Sequence, residues 1–108
     1  MRVLLDECLP RRLKGAFGPD HEVTTVPERG WAGTRNGALL QLASDVVDVF
    51  VTIDAGLPYQ QDLGRLPLAI VLFIAPSNRL DALLPLVPGL LERLSDISPG
   101  QVLRVGSR

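Results

Sequence analysis

The chain has 108 residues, 46% of them hydrophobic, which is enough apolar content to bury the core of one domain spanning residues 1–108. A net charge of −1 excludes the dense basic surface through which proteins hold nucleic acid by bulk electrostatics. The single cysteine excludes an internal disulfide, and the longest apolar stretch, residues 66–75, is shorter than the roughly 20 residues that cross a bilayer. We therefore expect a cytoplasmic protein with no membrane role.

The first half of the chain alternates between strand-like and helix-like patterns. Residues 2–5 form a short apolar run typical of a buried strand, and Pro10 then stands at the start of a predicted helix. Residues 21–26 alternate in the manner of a strand and are rich in β-branched side chains, so they predict a second strand. A glycine-rich loop, residues 30–35, leads into a second helix for which Asn36 is the predicted N-cap.

The second half continues this alternation. Residues 48–53 predict a third strand, and residues 68–74 form the most apolar strand, which we expect to be central. Leucines at helical spacing through residues 80–94 predict a further helix, which Pro85 should kink or break because proline removes a backbone donor. Residues 101–105 predict a short final strand at an edge of the sheet.

Strands that alternate with helices predict an α/β fold with a mostly parallel sheet of about five strands, covered on both faces. In such sheets, ligands bind beyond the carboxyl ends of the strands. Asp6 and Glu7 follow the first predicted strand, and Asp54 follows the third. We therefore expect these carboxylates to meet at one edge of the sheet.

Carboxylates that converge from different strands repel each other unless something neutralises them. A hard divalent cation does this well, because Mg²⁺ prefers oxygen ligands and is often held by only one or two carboxylates. Such an ion could also stabilise charge on a phosphodiester. The alternative is that Asp6 caps the first helix and Asp54 caps a turn, each held by backbone donors.

Two segments carry a resemblance to a known family. Residues 1–13 (MRVLLDECLPRRL) and 48–54 (DVFVTID), together with the loop 30–33 (GWAG), resemble the short stand-alone PIN-like proteins, a bacterial branch related to the VapC-type toxin nucleases. The resemblance extends over residues 1–105. It implies a three-layer α/β/α fold and, in the active members, cleavage of RNA by an acidic cluster that depends on Mg²⁺ or Mn²⁺.

The family pattern matches this chain at two of four acidic positions. Asp6 and Asp54 match the acids after the first strand and at the end of the Thr-x-Asp motif, and the resemblance implies that they hold the metal. Asn36 and Gly56 stand where the family usually has further acids, and Glu7 is a candidate substitute. The resemblance thus implies a metal-dependent ribonuclease with a partly depleted site, of the kind found as the toxin of a toxin–antitoxin pair.

The remaining candidate residues would contact substrate or orient water. Glu7 and Asn36 would orient the waters of the metal beside Asp6 and Asp54. Arginine forks match phosphate oxygens, and tyrosine and glutamine can stack on or hydrogen-bond to a nucleotide. On these grounds the candidate RNA-binding residues are Arg11, Arg12, Arg79, Tyr59, Gln60 and Gln61. An antitoxin protein is a compatible partner, as is a second copy of the chain.

Two other classes of function remain open. Asp6 and Glu7 with Asp54 and Pro58 also resemble the receiver domains of two-component signalling, in which an acid pair holds Mg²⁺ and a later aspartate accepts a phosphoryl group. A receiver also needs a lysine after its fifth strand, and Lys14 is the only lysine of the chain. The third class is a non-catalytic interaction module on a PIN-like scaffold, which the missing acids favour.

Three further residues are expected to have structural roles. Cys8 lies beside a predicted helix start but is expected to be packed rather than reactive. His21, between two acids, is expected to be solvated, and no second histidine accompanies it to form a zinc site. Trp31 is expected to anchor its glycine-rich loop to the core, although an aromatic ring there could also stack on a base.

Overall fold

The sheet contains five parallel strands in the order β2-β1-β3-β4-β5 in this computed structural model, which describes residues 1–106. This confirms the predicted α/β class and is compatible with a three-layer α/β/α fold. The strands are β1 (Arg2–Leu5), β2 (Glu22–Thr25), β3 (Val49–Thr52), β4 (Ala69–Ile74) and β5 (Val102–Gly106). The most apolar strand is β4, which we predicted to be central. It is an interior strand between β3 and β5, but β3 occupies the middle of the sheet.

Four short α-helices and five 3-10 turns connect the strands. The helices are α1 (Asn36–Ser44), α2 (Leu57–Gln60), α3 (Leu80–Leu83) and α4 (Val87–Arg93) within residues 1–106. The 3-10 segments are Arg11–Phe17, Pro27–Arg29, Leu63–Arg65, Leu84–Leu86 and Leu94–Asp96. The break predicted near Pro85 is confirmed, since the turn Leu84–Leu86 separates α3 from α4.

The first predicted helix is a 3-10 helix rather than an α-helix. It spans Arg11–Phe17, with Pro10 at its N-cap position, and Leu13 and Phe17 are its buried residues. Gly15 lies in its middle, and glycine is a poor helix former because it loses more conformational freedom than other residues. The sequence therefore predicted the position of this helix but not its type.

Helices cover both faces of the sheet because successive strand residues point to opposite sides. One face packs against the Arg11–Phe17 segment, α3 and α4, through Val3, Leu5, Val49, Val51, Val71, Phe73, Leu13, Phe17, Leu83, Val87 and Leu90. The other face packs against α1 and α2, through Leu4, Phe50, Ile70, Leu39, Leu40, Ala43 and Leu57. Within residues 1–106, no helix has the length and apolar character required to span a membrane.

The strand register places the candidate site. Leu5 of β1 pairs with Val51 of β3, and the backbone N–H of Asp6 donates to the carbonyl oxygen of Val51 at 2.9 Å. The order of strands reverses between β1 and β3, because β2 lies on one side of β1 and the later strands lie on the other. Ligands of open α/β sheets bind at such a switch point, beyond the carboxyl ends of the strands. Asp6 and Thr52 lie there.

Candidate acidic site at the carboxyl edge of the sheet

Asp6 is the one buried charged residue within residues 1–106, with 8% of its surface exposed. Its Oδ1 accepts a hydrogen bond of 2.8 Å from the backbone N–H of Glu7. Its Oδ2 accepts a bond of 2.7 Å from the hydroxyl of Thr52 and a longer one of 3.4 Å from the thiol of Cys8. The alternative in which Asp6 caps the first helix is wrong, because Pro10 occupies the cap position and no side chain caps it.

Thr52 links the carboxylate of Asp6 to the backbone of Asp54. Its side chain is fully buried, its hydroxyl donates to Asp6, and the same oxygen accepts a bond of 3.1 Å from the backbone N–H of Asp54. Sequence reasoning did not single out this residue as part of the site. The available signal was a hydroxyl at the end of an otherwise apolar strand, two residues before a carboxylate.

Asp54 closes a turn and also faces the start of α1. Its Oδ1 accepts a bond of 2.9 Å from the backbone N–H of Gly56, which confirms the predicted turn-capping role. Its Oδ2 accepts a bond of 3.4 Å from the side-chain amide of Asn36. Because a carboxylate has about four lone-pair positions, these bonds leave acceptor capacity on both oxygens.

The prediction that Asn36 is the N-cap of α1 is wrong. Arg35 holds the cap position with an extended backbone (φ −66°, ψ 149°), and no side chain caps the helix. Asn36 is instead the first helical residue, and its amide bonds to Asp54 rather than to a backbone N–H of its own helix. Asn36 therefore does lie beside Asp54, as its predicted role in the site requires. It reaches the site through its side-chain amide and not by capping the helix.

Glu7 connects the site to the glycine-rich loop. Its side chain is exposed, and its two carboxylate oxygens lie 3.1 and 3.3 Å from the backbone N–H of Gly33, which donates to them. Trp31 of the same loop is half-buried against the second core cluster, which confirms its predicted anchoring role. The guanidinium of Arg29 lies 5.3 Å from the centre of the Trp31 ring, within the range of a cation–π contact.

The donor set leaves at most two carboxylates, those of Asp6 and Asp54, for a cation at this edge of the sheet. In the part of the chain from Met1 to Gly106, no three or more His, Cys, Asp or Glu side chains are grouped so as to hold a metal ion. Asp6 and Asp54 follow neighbouring strands, and Mg²⁺ needs only one or two protein carboxylates because it keeps several waters. The carbonyl oxygen of Asn36 is a further neutral oxygen donor beside them.

Cys8 behaves as a packed thiol, as expected. It is half-buried against the first core cluster, and its carbonyl oxygen accepts a bond of 3.0 Å from the side-chain amide of Asn78. Burial raises the pKa of the Cys8 thiol, and the nearby charge of Asp6 acts in the same direction. The thiol therefore stays protonated and donates to Asp6 at neutral pH.

The predicted phosphate-binding arginines lie on the surface. Arg11, Arg12 and Arg79 are exposed, and none forms an ion pair with Asp6 or Asp54 among the described residues. The guanidinium of Arg79 instead lies 3.5 Å from a carboxylate oxygen of its neighbour Asp81. Arg11 and Arg12 form no ion pair among the described residues, and none of the three arginines is bonded to the acidic pair.

The segment after Asp54 brings one of the predicted nucleotide-binding residues, Gln60, to the site. Tyr59 in α2 is 87% exposed. The amide nitrogen of Gln60 lies 3.0 Å from the position that a Cβ atom would occupy at Gly56, and Oδ1 of Asp54 lies 3.3 Å from that same position. Gln60 therefore lies beside the Asp54 turn, and glycine at position 56 gives both side chains room.

His21 is not solvated, contrary to the prediction. It is half-buried, and its Nδ1 is buried without a hydrogen-bond partner in the part of the chain that the structure describes. The next residue, Glu22, donates its backbone N–H to the carbonyl oxygen of Met1 at 3.0 Å. This contact holds the start of β2 against the beginning of β1.

Comparison with known proteins found no matching family model, no similar curated protein and no similar solved structure. The relationship to PIN-like proteins therefore stays a prediction from residues 1–13, 30–33 and 48–54.

Proposed function

We propose that this protein is a PIN-like phosphodiesterase that cleaves RNA with the help of Mg²⁺ or Mn²⁺. One observation carries the proposal: Asp6 and Asp54 follow the two strands that flank the switch point of the sheet, and the buried hydroxyl of Thr52 bonds to both residues. A buried carboxylate held by several donors is already fixed in direction before any ligand arrives. Such preorganisation is what a cation site requires.

In this proposal, each residue of the site has a distinct task. Asp6 and Asp54 hold the cation, and Thr52 keeps the carboxylate of Asp6 in place. When bound, the cation supplies positive charge that offsets negative charge developing on the phosphodiester. Asn36 holds Asp54 and presents its carbonyl oxygen to the water around the ion, while Glu7 keeps the glycine-rich loop docked beside it.

RNA contacts in this proposal are local rather than spread over the surface, because the net charge of the chain is −1. Arg11, Arg12 and Arg79 are exposed and position phosphates, while Tyr59 and Gln60 contact the nucleotide beside Asp54. The proposal includes a toxin-type role in the cytoplasm, with an antitoxin protein as partner and self-association into a homodimer.

A non-catalytic interaction module is the second candidate, and two observations favour it. Both oxygens of Asp6 and both oxygens of Asp54 already accept hydrogen bonds within the protein. No grouping of three metal-ligating side chains exists among residues 1–106. In this second proposal, the same hydrogen bonds only stabilise the edge of the sheet.

The strand order agrees with a receiver domain, but two of the side chains that a receiver needs are missing. The order 2-1-3-4-5 is shared with receiver domains. However, Lys14 is the only lysine of the sequence, and its ammonium lies 2.8 Å from a carboxylate oxygen of Glu28. The residues after β4 are Ala75 and Pro76, where a receiver has a hydroxyl group. We therefore do not propose phosphoryl acceptance.

The nuclease and the interaction module are separated by one experiment with three proteins. Wild type, the double variant Asp6→Asn/Asp54→Asn and the matched control Asp45→Asn/Asp96→Asn are titrated with Mn²⁺ by calorimetry and incubated with unstructured RNA. Both pairs remove two negative charges, but Asp45 and Asp96 are exposed and make no side-chain hydrogen bond to Asp6 or Asp54.

We expect wild type and control to bind Mn²⁺ and cleave RNA, and the site variant to lose both properties. Cleavage by the site variant at the wild-type rate would overturn the assignment of Asp6 and Asp54. Absence of Mn²⁺ binding and of cleavage in wild type would favour the interaction module.

A further inference from the structure

A polar groove lies between α1 and the segment that follows α2. Its volume is about 290 Å³, and the residues that line it include Leu40, Gln41, Gln61, Asp62, Arg65 and Leu66. None of these residues belongs to the acidic site described above. The groove is therefore a separate feature that the proposed chemistry leaves without a role.

The groove begins one residue after Asn36, which bonds to Asp54 of the acidic pair. Gly37 lines it and directly follows Asn36, whose amide bonds to Asp54. The amide oxygen of Gln61 lies 3.4 Å from the position that a Cβ atom would occupy at Gly37, so the loop after α2 packs closely against the start of α1. Gly37, Leu40 and Gln41 share one face of α1, since residues three and four apart are neighbours on a helix.

The distance along the helix suits one nucleotide. From Asn36 to Leu40 the rise of α1 is about 6 Å, at 1.5 Å per residue. A nucleotide whose phosphate lies at the acidic pair can therefore place a neighbouring base over Leu40 and Gln41. The acidic pair and the groove then contact different parts of one ligand.

The lining combines apolar side chains with side-chain amides. Leu40 is buried and Leu66 is half-buried, so Leu66 is the leucine with exposed surface for the flat face of a ring. The amides of Gln41 and Gln61 make no side-chain hydrogen bond within residues 1–106, so their donors and acceptors are available. Unstacked RNA bases are recognised by this combination of a face contact and hydrogen bonds to base edges.

The charges in the groove favour a neutral ring over a phosphate. The guanidinium of Arg65 lies 3.3 Å from a carboxylate oxygen of Asp62, and both side chains are largely exposed. The two charges offset each other, so the groove lacks the excess positive charge that draws phosphate. Arginine can still stack its planar group on a base while it is paired.

We propose that this groove binds a nucleobase of single-stranded RNA and gives the site its preference among bases. The inference rests on the proposed function, because the acidic pair is taken to hold the adjacent phosphate. Gln41 and Gln61 are then specificity residues that contact the substrate away from the reacting bond.

The test is a nuclear magnetic resonance titration that does not depend on cleavage. The ¹⁵N-labelled full chain, with Mg²⁺ present, is titrated with the four nucleoside 5′-monophosphates and, separately, with ribose 5-phosphate. We expect the side-chain amide signals of Gln41 and Gln61 to shift with at least one nucleotide and not with ribose 5-phosphate. We expect Gln61→Ala to weaken nucleotide binding about 2- to 12-fold, the range for one hydrogen bond.

Gln101→Ala is the matched control, because Gln101 precedes β5 and bonds to the backbone N–H of Ser98, outside the groove. If Gln61→Ala fails to fold, Gln61→Glu keeps the side-chain length and removes the amide donors, so the same loss of affinity is expected. Nucleotide shifts confined to residues around Asp6 and Asp54, or RNA cleavage with unchanged base preference in Gln61→Ala, would overturn the inference while leaving the proposed function intact. Absence of shifts with every ligand, together with absence of cleavage by wild type, would overturn both.

Discussion

The hydroxyl of Thr52 donates a hydrogen bond of 2.7 Å to Oδ2 of Asp6, and both side chains are buried. The same hydroxyl oxygen accepts the backbone N–H of Asp54. Thr52→Val keeps the shape of the side chain but leaves a buried carboxylate without its shortest donor. We therefore expect a loss of about 1–3 kcal/mol in the free energy of unfolding, measured by urea denaturation.

Two further variants make this measurement specific. Thr52→Ser keeps the hydroxyl and should lose less stability than Thr52→Val. Thr34→Val removes a hydroxyl that makes no side-chain hydrogen bond in the part of the chain described, so it should unfold close to wild type. Equal stability of Thr52→Val and wild type would show that the hydroxyl does not hold Asp6.

Glu7 holds the glycine-rich loop by accepting the backbone N–H of Gly33. Glu7→Ala removes both acceptor oxygens, so we expect the Gly33 amide to exchange with solvent about 2- to 12-fold faster, the range for one hydrogen bond. Amide exchange measured by nuclear magnetic resonance gives this directly. The amide of Gly30 is an internal control, because it donates to the carbonyl oxygen of Pro27 and should keep its rate.

The exposed Glu92 supplies the matched variant for this measurement. Glu92→Ala removes the same side chain from α4 and should leave the exchange of Gly33 unchanged. If Glu7→Ala also leaves that rate unchanged, Glu7 does not hold the loop.

The strands and their direction could be predicted because apolar runs separated by helix-like segments leave few arrangements. The positions of Asp6 and Asp54 beyond the ends of neighbouring strands followed from the same pattern, since both residues come after apolar runs. The register of Leu5 with Val51 could not be predicted, because it depends on how the two strands pack rather than on either sequence segment.

The hydrogen bonds within the site were beyond sequence reasoning for a related reason. Asn36 has the residue type of an N-cap, but its amide meets Asp54, a partner 18 residues away in the chain. The role of Thr52 likewise depends on β1 and β3 being neighbours. Local rules describe what a side chain can do within its own turn, whereas these contacts are made between elements.

An ion pair of Arg2 and Asp48 lies at the end of the sheet opposite to the acidic site. It makes the free energy of unfolding depend on pH. The side chain and backbone N–H of Arg2 both donate to Asp48, and these bonds hold the pKa of Asp48 below its ordinary value. A carboxylate with a lowered pKa in the folded state stabilises that state above its unfolded pKa, about 3.9. The stabilisation by Asp48 begins to be lost when the pH falls below the unfolded pKa. The loss is complete once the pH is below the lower pKa that Asp48 has in the folded state.

Thermal unfolding of wild type and Asp48→Asn between pH 7 and pH 3 tests this dependence. We expect the variant to have the lower Tm above pH 5 by a constant few degrees at most, because exposed ion pairs contribute little. The difference should shrink below about pH 3.9. Asp45→Asn removes an exposed carboxylate without an ion pair among the described residues and should show a smaller dependence. A difference in Tm that grows on acidification would contradict the assignment.

Replacement of Asn36 by aspartate tests the acidic site by adding a charge rather than removing one. The amide of Asn36 lies 3.4 Å from Oδ2 of Asp54, so Asn36→Asp exchanges a hydrogen-bond donor for a second negative charge at that distance. Without divalent cations, we expect a loss of about 1–2 kcal/mol in the free energy of unfolding from the lost bond and the added repulsion. With Mn²⁺ present, a third carboxylate should restore stability and tighten metal binding.

Asn36→Ala is the control, because it loses the same donor without gaining a charge and should not respond to Mn²⁺ more than wild type. If Mn²⁺ stabilises Asn36→Asp no more than Asn36→Ala, the carboxylate at position 36 does not reach a metal held by Asp54, and the proposed cation site is wrong.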